Sequence, residues 1–280
     1  MYKKLLIFMV FLAMFSFEGV SQEKKLENAK QSLKSNNSTN NSGTKTSKTS
    51  TSSTTVLDDD DDLNPFARII FGIAAYTFYG VMFETPWEFN GRMHSAEFSN
   101  YPYKESNYGN FIYTNSTNYN IVRLDVYNHF LIENKQLYGN DIGVDFKFFK
   151  RFALDVNYTT FLEKVNNRTD TFNMFSALLK YHRIRTQRFN AWFGVGFRSI
   201  FNNVNETRFL LGIGGELFLA KPISVFASHK WATINQQSVR NSKLLLKYHL
   251  KNYRITFGYE HYKLAVSEIK AFSLGFEASF

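Results

Sequence analysis

Serine and histidine are the residues of this sequence whose chemistry could support nucleophilic catalysis. Ser228 directly precedes His229, and His182 and His249 lie elsewhere in the chain. A serine nucleophile needs a base within hydrogen-bonding distance of its hydroxyl. Neighbouring residues of a strand point to opposite faces, so Ser228 and His229 cannot form such a pair directly. The sequence therefore assigns no catalytic residue, and enzymatic activity stays an open alternative.

Metal ligands are equally sparse in the sequence. His94 and Glu97 have a loose ligand spacing, but one histidine and one carboxylate make an incomplete site. The acidic run at residues 58–62 lacks the alternating ligands and the glycine of a calcium loop. The absence of cysteine removes thiolate nucleophiles, disulfides and cysteine zinc sites. We therefore expect neither a metal nor a cofactor.

A repeating pattern between residues 119 and 280 predicts the strands that must position these side chains. Ten segments there alternate apolar and polar residues, and each can cross a bilayer as a tilted strand of about 9–11 residues. The clearest segment alternates Phe189, Ala191, Phe193, Val195 and Phe197 with Asn190, Gly194, Gly196 and Arg198. The pattern predicts an all-β fold, an antiparallel transmembrane meander β-barrel of ten to twelve strands.

The polar face of these segments carries charged side chains beside glycines, and the apolar face carries aromatic residues. A soluble sandwich or lipocalin-like barrel would also alternate, but its apolar face would point inward. Charges inside and aromatic residues outside are typical of a membrane barrel. The predicted lumen charges are Arg123, Asp125, Asp145, Asp155, Lys180, Arg198, Glu216, Lys243, Lys247, Arg254, Glu260 and Glu277. Six of each sign favour a lumen of paired side chains over a pore selective for one sign.

The connections between the segments alternate in predicted length. Short connections fall near residues 150, 185–187, 221–222 and 251–252, and longer polar ones at 133–136, 164–170, 202–206, 235–241 and 263–268. Membrane barrels have short periplasmic turns and longer outer loops. Ten strands that start from a periplasmic N-terminus place all the short turns on the periplasmic side.

The N-terminal residues predict export. Lys3 and Lys4 precede an apolar run at residues 5–17, and small residues follow it, so residues 1–21 fit a signal peptide cleaved between Ser21 and Gln22. Residues 22–63 are rich in Ser, Thr, Asn and Lys and predict a low-complexity, disordered periplasmic tail. Residues 64–118 join an apolar segment to an irregular loop. The apolar run at 66–83 fits a short helix or a strand, with a helix preferred, and residues 64–118 as a whole could supply a helix, a plug or an extra strand pair.

The final strand resembles the C-terminal strand of bacterial outer-membrane β-barrel proteins. Residues 271–280 alternate and end in an aromatic residue, with Phe272, Phe276 and Phe280 on one face. The resemblance implies a Gram-negative outer membrane, surrounding lipids and recognition of these residues by the barrel-assembly machinery. The net charge of +9 fits anionic lipid or polysaccharide as a neighbour, whereas export argues against nucleic acid.

Three function classes remain open at this level. The preferred class is a structural or interaction protein that uses its tail or loops, and the alternative is a narrow channel or transport component. The third is an integral enzyme acting on lipid or peptide. A plugged and fully paired lumen would favour the first class, and lumen charge of one sign would favour the second. A hydrogen-bonded Ser–His–acid set open to lipid would favour the third.

Overall fold

A computed structural model describes residues 24–34, 80, 96–104, 108–113, 121–165, 168–202 and 204–280. One compact unit comprises the chain up to residue 34 and from residue 95 onward, and residues 35–94 form a second unit. The elements of the first unit are α1 (Lys25–Leu33), β1 (Glu97–Phe98), β2 (Phe111–Ile112), β3 (Val122–Ile132), β4 (Leu137–Phe148), β5 (Phe152–Val165), β6 (Arg168–Arg185), β7 (Phe189–Ile200), β8 (Glu206–Ala220), β9 (Ile223–Ile234), β10 (Gln237–Leu250), β11 (Tyr253–Leu264) and β12 (Ser267–Ser279).

Strands β3 to β12 form a closed antiparallel barrel of ten strands, each paired with its neighbours in sequence. The ring closes where β12 pairs with β3, from Phe272 opposite Ile132 to Ser279 opposite Asp125. Closure leaves no open sheet edge, which hydrocarbon could not solvate. The predicted all-β meander barrel is confirmed, with the lowest strand number of the predicted range.

Different segments of the chain close the two ends of the barrel. We call these ends proximal and distal according to the direction of β3. The proximal end holds the start of β3 and the end of β12, and the distal end holds the turns that follow β3, β5, β7, β9 and β11. All nine connections are two to five residues long, so the prediction of longer loops at one end was wrong. Polar residues such as Lys164 and Arg168 belong to strands, because pairing continues through them to Val165 opposite Arg168.

The tight turn between β9 and β10 shows how such a short connection forms. Asn235 and Gln236 both have a positive φ, at 48° and 65°. Two consecutive residues in this region make a two-residue hairpin turn whose twist matches that of the strands. The polar sequence of residues 235–241 therefore combines one turn with the start of a strand.

The barrel wall is inverted relative to a soluble protein. Apolar side chains face outward, with Phe209 61% and Leu274 58% exposed, whereas the interior Arg123 is 1% exposed. The alternating sequence produces this distribution because successive strand residues point to opposite faces. An apolar exterior around a charged interior is the polarity of a transmembrane barrel.

Helix α1 lies inside the distal end of the barrel, where Leu26, Ala29 and Leu33 are fully buried. They belong to an apolar cluster together with interior residues of the wall such as Phe161 and Phe172. The prediction of a disordered tail was wrong for this part of residues 22–63. The amphipathic stretch KLENAKQSL presents one apolar face every three to four residues, and that face packs in the barrel mouth.

Strands β1 and β2 form a small antiparallel sheet at the proximal end, with Phe98 opposite Phe111. Ala96, Phe98 and Phe111 are buried in a cluster with Tyr113. The described part of residues 64–118 thus contains an extra strand pair that plugs the barrel and adds no strand to the wall. Ser21, Gln22, residues 35–63 and the run at 66–83, apart from Gly80, lie outside the described residues. Among the described residues, no helix is long and apolar enough to span a membrane.

Candidate functional site

The interior of the barrel holds all twelve predicted lumen charges, and eleven of them are buried while Asp145 is nearly so. Six further charged side chains are buried among the described residues: Asp141, Lys147, Glu163, Arg183, Arg185 and Lys230. Lys230 was missed because the alternation of its segment is weak, although Ser224, Ser228 and Lys230 share the inner face of β9. Cations and anions are thus present in nearly equal number.

Asp125 is the centre of the charge network at the proximal end. Its carboxylate lies 2.7 Å from Arg123 Nη2 and 3.2 Å from Arg254 Nη2. Lys147 Nζ and Ser279 Oγ also donate to it. A buried carboxylate loses its hydration, and an ion pair compensates for this only when several donors surround it. Asp125 meets that condition with donors from four side chains.

Arg123 connects this network to the proximal plug. Its guanidinium donates to the Ser99 carbonyl at 3.0 Å and to Asn110 Oδ1 at 2.7 Å. Asn110 in turn donates to Glu216 Oε2 at 3.0 Å. The planar guanidinium can make several hydrogen bonds in fixed directions. One buried arginine therefore holds the plug segment against the barrel wall.

The middle of the lumen is crossed by pairs that join distant strands. Lys180 Nζ lies 2.7 Å from Asp145 Oδ1, and Lys230 Nζ lies 2.9 Å from Asp155 Oδ2. Lys180 also lies over the ring of Trp192, 5.0 Å from its centroid. Asp155 is on β5 and Lys230 is on β9, so the pair spans the interior. These contacts fill the section through which an ion would have to pass.

A cluster that could hold a metal is already filled by a lysine. One donor atom from each of His129, Asp141 and Glu260 lies within 4.8 Å of the others. Lys243 Nζ donates to Asp141 and lies 3.1 Å from Glu260 Oε2. The ammonium therefore supplies the positive charge that a divalent cation would supply between these carboxylates.

Glu277 completes the network next to this cluster. It lies 3.0 Å from Lys247 Nζ and 2.8 Å from Arg254 Nε. His129 lies between two carboxylates, 3.4 Å from Glu260 and 3.4 Å from Glu277. Gly275 makes room for this imidazole, because a Cβ at Gly275 would lie 2.2 Å from His129 Cδ2. The glycines of the inner face therefore provide space for the charged side chains.

A serine, a histidine and a glutamate meet at the proximal end of the lumen. Ser224 Oγ donates to Glu216 Oε1 at 2.7 Å and lies 2.7 Å from His249 Nε2. A hydroxyl has one proton, so a serine that donates to Glu216 accepts from the imidazole and is not activated by it. Ser224 is fully buried, and Tyr103 of the plug packs on His249 with ring centroids 5.2 Å apart. The set stabilises the plug and offers no nucleophile to a substrate.

The other candidate catalytic and metal-binding residues that the structure describes do not lie together in one site. Ser228 and His229 point to opposite faces of the wall, as the alternation of side chains along a strand predicts. Ser228 faces the lumen and is 8% exposed. His229 faces outward, where its Nδ1 lies 2.8 Å from Ser242 Oγ. His182 is buried against Phe111 of the plug, with ring centroids 5.5 Å apart. Glu97 pairs with Lys150 at 2.9 Å, and His94 lies outside the described residues.

The remaining predicted site is the C-terminal aromatic series. Phe280 is 69% and Phe276 51% exposed on the outer face, and Phe272 lies on the same face of β12. The Phe280 backbone N–H donates to the Leu124 carbonyl at 2.8 Å, and its carbonyl accepts from the Leu124 N–H at 3.0 Å. The terminal residue thus takes part in the seam that closes the ring.

The free space in this network is small. A cavity of about 80 Å³ lies among the charged side chains, lined in part by Tyr127, Lys180 and Glu216. That volume holds a few water molecules at most. Helix α1 covers it on the distal side and the β1–β2 sheet on the proximal side. The described interior is therefore a narrow core in which most of the charged side chains form ion pairs, whereas Arg198 donates to Ser176 and to the Val239 carbonyl.

No protein-family model matches the sequence, and no curated protein matches it. The outer membrane protein Ail of Yersinia pestis is 11% identical, with 57% of this chain and 98% of that chain covered and a TM-score of 0.32. Neisserial surface protein A is 14% identical, with 57% and 96% covered and a TM-score of 0.29.

A third solved structure is an outer membrane channel from Pseudomonas putida F1. It is 9% identical, with 57% of this chain and 94% of that chain covered and a TM-score of 0.34. The class of this protein is given by its own architecture. A closed antiparallel ring with apolar side chains outside and charges inside is a transmembrane β-barrel.

Proposed function

We propose that this protein is an outer-membrane barrel with a structural or interaction role and a permanently closed lumen. The observation that carries the proposal is the filling of the interior by paired charges between two plugs. A selective pore needs a continuous path lined by groups that bind ions weakly enough to release them. Here Lys180, Lys230 and Lys243 are held by buried carboxylates across the section that such a path would need.

The ends of the barrel and the sequence outside the wall are the surfaces that remain for a partner. Turns of two to five residues offer little area, whereas a stable protein interface buries about 800 Å² on each side. The low-complexity sequence within residues 35–63 supplies further contact groups. The barrel wall then anchors these partner-binding segments in the membrane.

Conductance in a planar bilayer tests the closed lumen, with heat-modifiability on electrophoresis measured on the same refolded sample. We expect a heat-modifiable band and no unitary current steps. Stable steps from the wild-type protein would overturn the proposal in favour of a channel. A sample that is not heat-modifiable would remove the barrel on which the proposal depends.

A gated channel is the second candidate, because the distal closure is one nine-residue helix. Its polar anchors are few: Lys25 pairs with Glu133 at 2.8 Å, and Lys30 pairs with Asp170. A variant without residues 24–34 separates the two candidates. Under the structural proposal it stays silent, since the paired core closes the lumen below the helix. Current from this variant alone would favour the gated channel.

A further inference from the structure

A row of polar side chains crosses the lipid-facing surface of four neighbouring strands. His229, Ser242, His261 and Lys270 lie directly opposite one another on β9, β10, β11 and β12. His229 Nδ1 and Ser242 Oγ are 2.8 Å apart. Polar groups on the lipid side of a membrane protein are costly, so they mark a function when they are grouped.

A second row lies two residues closer to the distal end on the same strands. Trp231, Arg240, Lys263 and Glu268 are opposite one another in that order. Glu268 lies 3.7 Å from Lys263, 3.7 Å from Lys270 and 3.6 Å from His261 Nε2. Lys270 is exposed and Lys263 is half-buried. The two rows contain three cations, Arg240, Lys263 and Lys270, and one carboxylate, so the surface has an excess of positive charge.

An apolar groove begins on the other side of His229. Ala191, Gly215 and Ala227 are opposite one another on β7, β8 and β9 and form a line of small residues in the outer wall. Larger side chains such as Phe189, Ile213 and Leu217 border it, and the groove is a shallow, open depression of about 580 Å³. His229 is part of its lining.

The order of these features along the strands matches that of an amphiphile. Arg240 and Lys263 lie nearest the distal end. Lys270 and the His229–Ser242 hydrogen bond lie in the next row, and the groove at Ala227 lies in the row beyond that, toward the proximal end. Cations attract an anionic headgroup, hydroxyl and imidazole groups hydrogen-bond ester oxygens, and an apolar groove takes an acyl chain. The headgroup, the ester and the acyl chain of such a lipid therefore each have protein groups of matching chemistry on this surface.

We propose that these two rows and the groove form a binding site for one acylated lipid with an anionic headgroup. The phosphate lies against the ammonium groups of Lys263 and Lys270, where it replaces Glu268 as their partner. The ester lies at Ser242 and His229, and one acyl chain fills the line of small residues. The inference rests on the membrane placement of the barrel and not on whether the lumen conducts. The site is distinct from the charge network, because all its side chains face outward.

Lipid retention measured by native mass spectrometry tests the site. The protein is refolded with equal amounts of phosphatidylglycerol and phosphatidylcholine, and the lipid that survives detergent stripping is weighed. We expect the wild-type protein to retain one phosphatidylglycerol in preference to phosphatidylcholine. Equal retention of the two lipids would overturn the proposal, because the cations would then have no role.

Two pairs of variants test the two halves of the site. The double variant Lys263→Gln/Lys270→Gln lowers the preference about 25-fold, since each surface cation contributes about fivefold. The control Lys135→Gln/Lys164→Gln removes two exposed cations elsewhere at the distal end and leaves the preference unchanged. An equal effect of both double variants would overturn the assignment of the headgroup.

Ala227→Phe fills the groove and abolishes retention of the bound lipid. Val126→Phe places the same ring on the lipid face of β3, across the ring of strands from β8, and leaves retention unchanged. Retention of the lipid by the Ala227→Phe variant would contradict the assignment of the acyl chain to the groove. Loss of heat-modifiability in any variant would signal failure of the barrel, which is a separate outcome from failure of the lipid site.

Discussion

Lys243 and Glu260 lie directly opposite each other on β10 and β11, with Lys243 Nζ 3.1 Å from Glu260 Oε2 inside the barrel. The same ammonium donates to Asp141 from across the lumen. Glu260 is fully buried and also accepts from Tyr262 and Ser273 at 2.7 and 3.0 Å. One lysine thus compensates two carboxylates that water does not reach.

Removing that ammonium is therefore expected to destabilise the barrel strongly. Lys243→Met keeps most of the side-chain volume but leaves Asp141 and Glu260 without their cation. Breaking a buried pair in this way costs about 3–5 kcal/mol. Urea unfolding in lipid vesicles measures the loss. Lys164→Met, at an exposed lysine over the Tyr138 ring, serves as control and should change stability by less than about 0.5 kcal/mol. Equal losses would contradict the network.

The smaller substitution Lys243→Ala is expected to create a zinc site. It removes the cation but keeps one donor atom each from His129, Asp141 and Glu260 within 4.8 Å. Imidazole and carboxylate groups are ligands of zinc, and binding to the folded state raises its stability. Zinc should raise the unfolding midpoint of the variant and leave the wild-type protein unchanged. Adding His129→Ala should abolish the effect; persistence of the effect would place the ion elsewhere.

Glu163 is expected to hold helix α1 in the distal mouth. Its carboxylate accepts from the backbone N–H groups of Lys25 at 2.9 Å and Leu26 at 2.8 Å, at the positive end of the helix. Glu163→Gln removes the charge and one acceptor, which costs about 1–3 kcal/mol. The helix should then leave its site about 5 to 150 times more often.

The absence of cysteine makes this opening measurable. Ala29→Cys introduces a single thiol at a fully buried position of α1, and its reaction with a maleimide reports the open state. Labelling should accelerate when Glu163→Gln is added. Glu206→Gln, at an exposed pair with Arg208 on the same end, should leave the rate unchanged. Rapid labelling of the Ala29→Cys variant without Glu163→Gln would show that the helix is not held in the mouth.

Tyr103 gives the proximal plug an expected dependence on high pH. Its hydroxyl donates to the Ile223 carbonyl at 2.5 Å, and burial together with the negative charge of Glu216 raises its pKa to about 12. The unfolded chain loses this proton near pH 10, so the stabilising contribution is complete below pH 10 and is lost as the pH rises through 12.

The absorbance of tyrosinate measures this titration. The difference between the wild-type protein and Tyr103→Phe should show one ionisation centred near pH 12. A difference centred near pH 10 would show that the phenol is exposed and that the plug does not cover it. Tyr248→Phe, on the lipid-facing side, is the comparison for a tyrosine outside the plug.

The sequence predicts the wall well because one rule governs it. Alternation with a period of two decides which residues face lipid, so Arg123, Lys180 and Glu277 could be placed inside without further information. The same rule predicted ten to twelve strands, and the barrel has ten. Which cation meets which carboxylate could not be predicted, since pairs such as Lys230 with Asp155 depend on the tilt and closure of the ring.

The errors of the sequence analysis arise where a local pattern has two structural solutions. Polar residues near Lys164 resemble a loop, but they also fit a strand that extends beyond the apolar band of the wall. The stretch that contains Leu26, Ala29 and Leu33 is too short to form a stable helix alone, and it becomes ordered by burial in the barrel mouth. Ser242 gave no signal, because its partner His229 lies thirteen residues away on another strand.

The shortness of the turns limits what a partner in the aqueous phase can bind on the barrel. Because the nine connections of the barrel have two to five residues, no long loop projects from the ends of its strands. A partner in the aqueous phase at the distal end would therefore meet strand ends and tight turns around the buried helix α1. In the proposed outer-membrane setting, the described barrel would offer such a partner few projecting loops to bind.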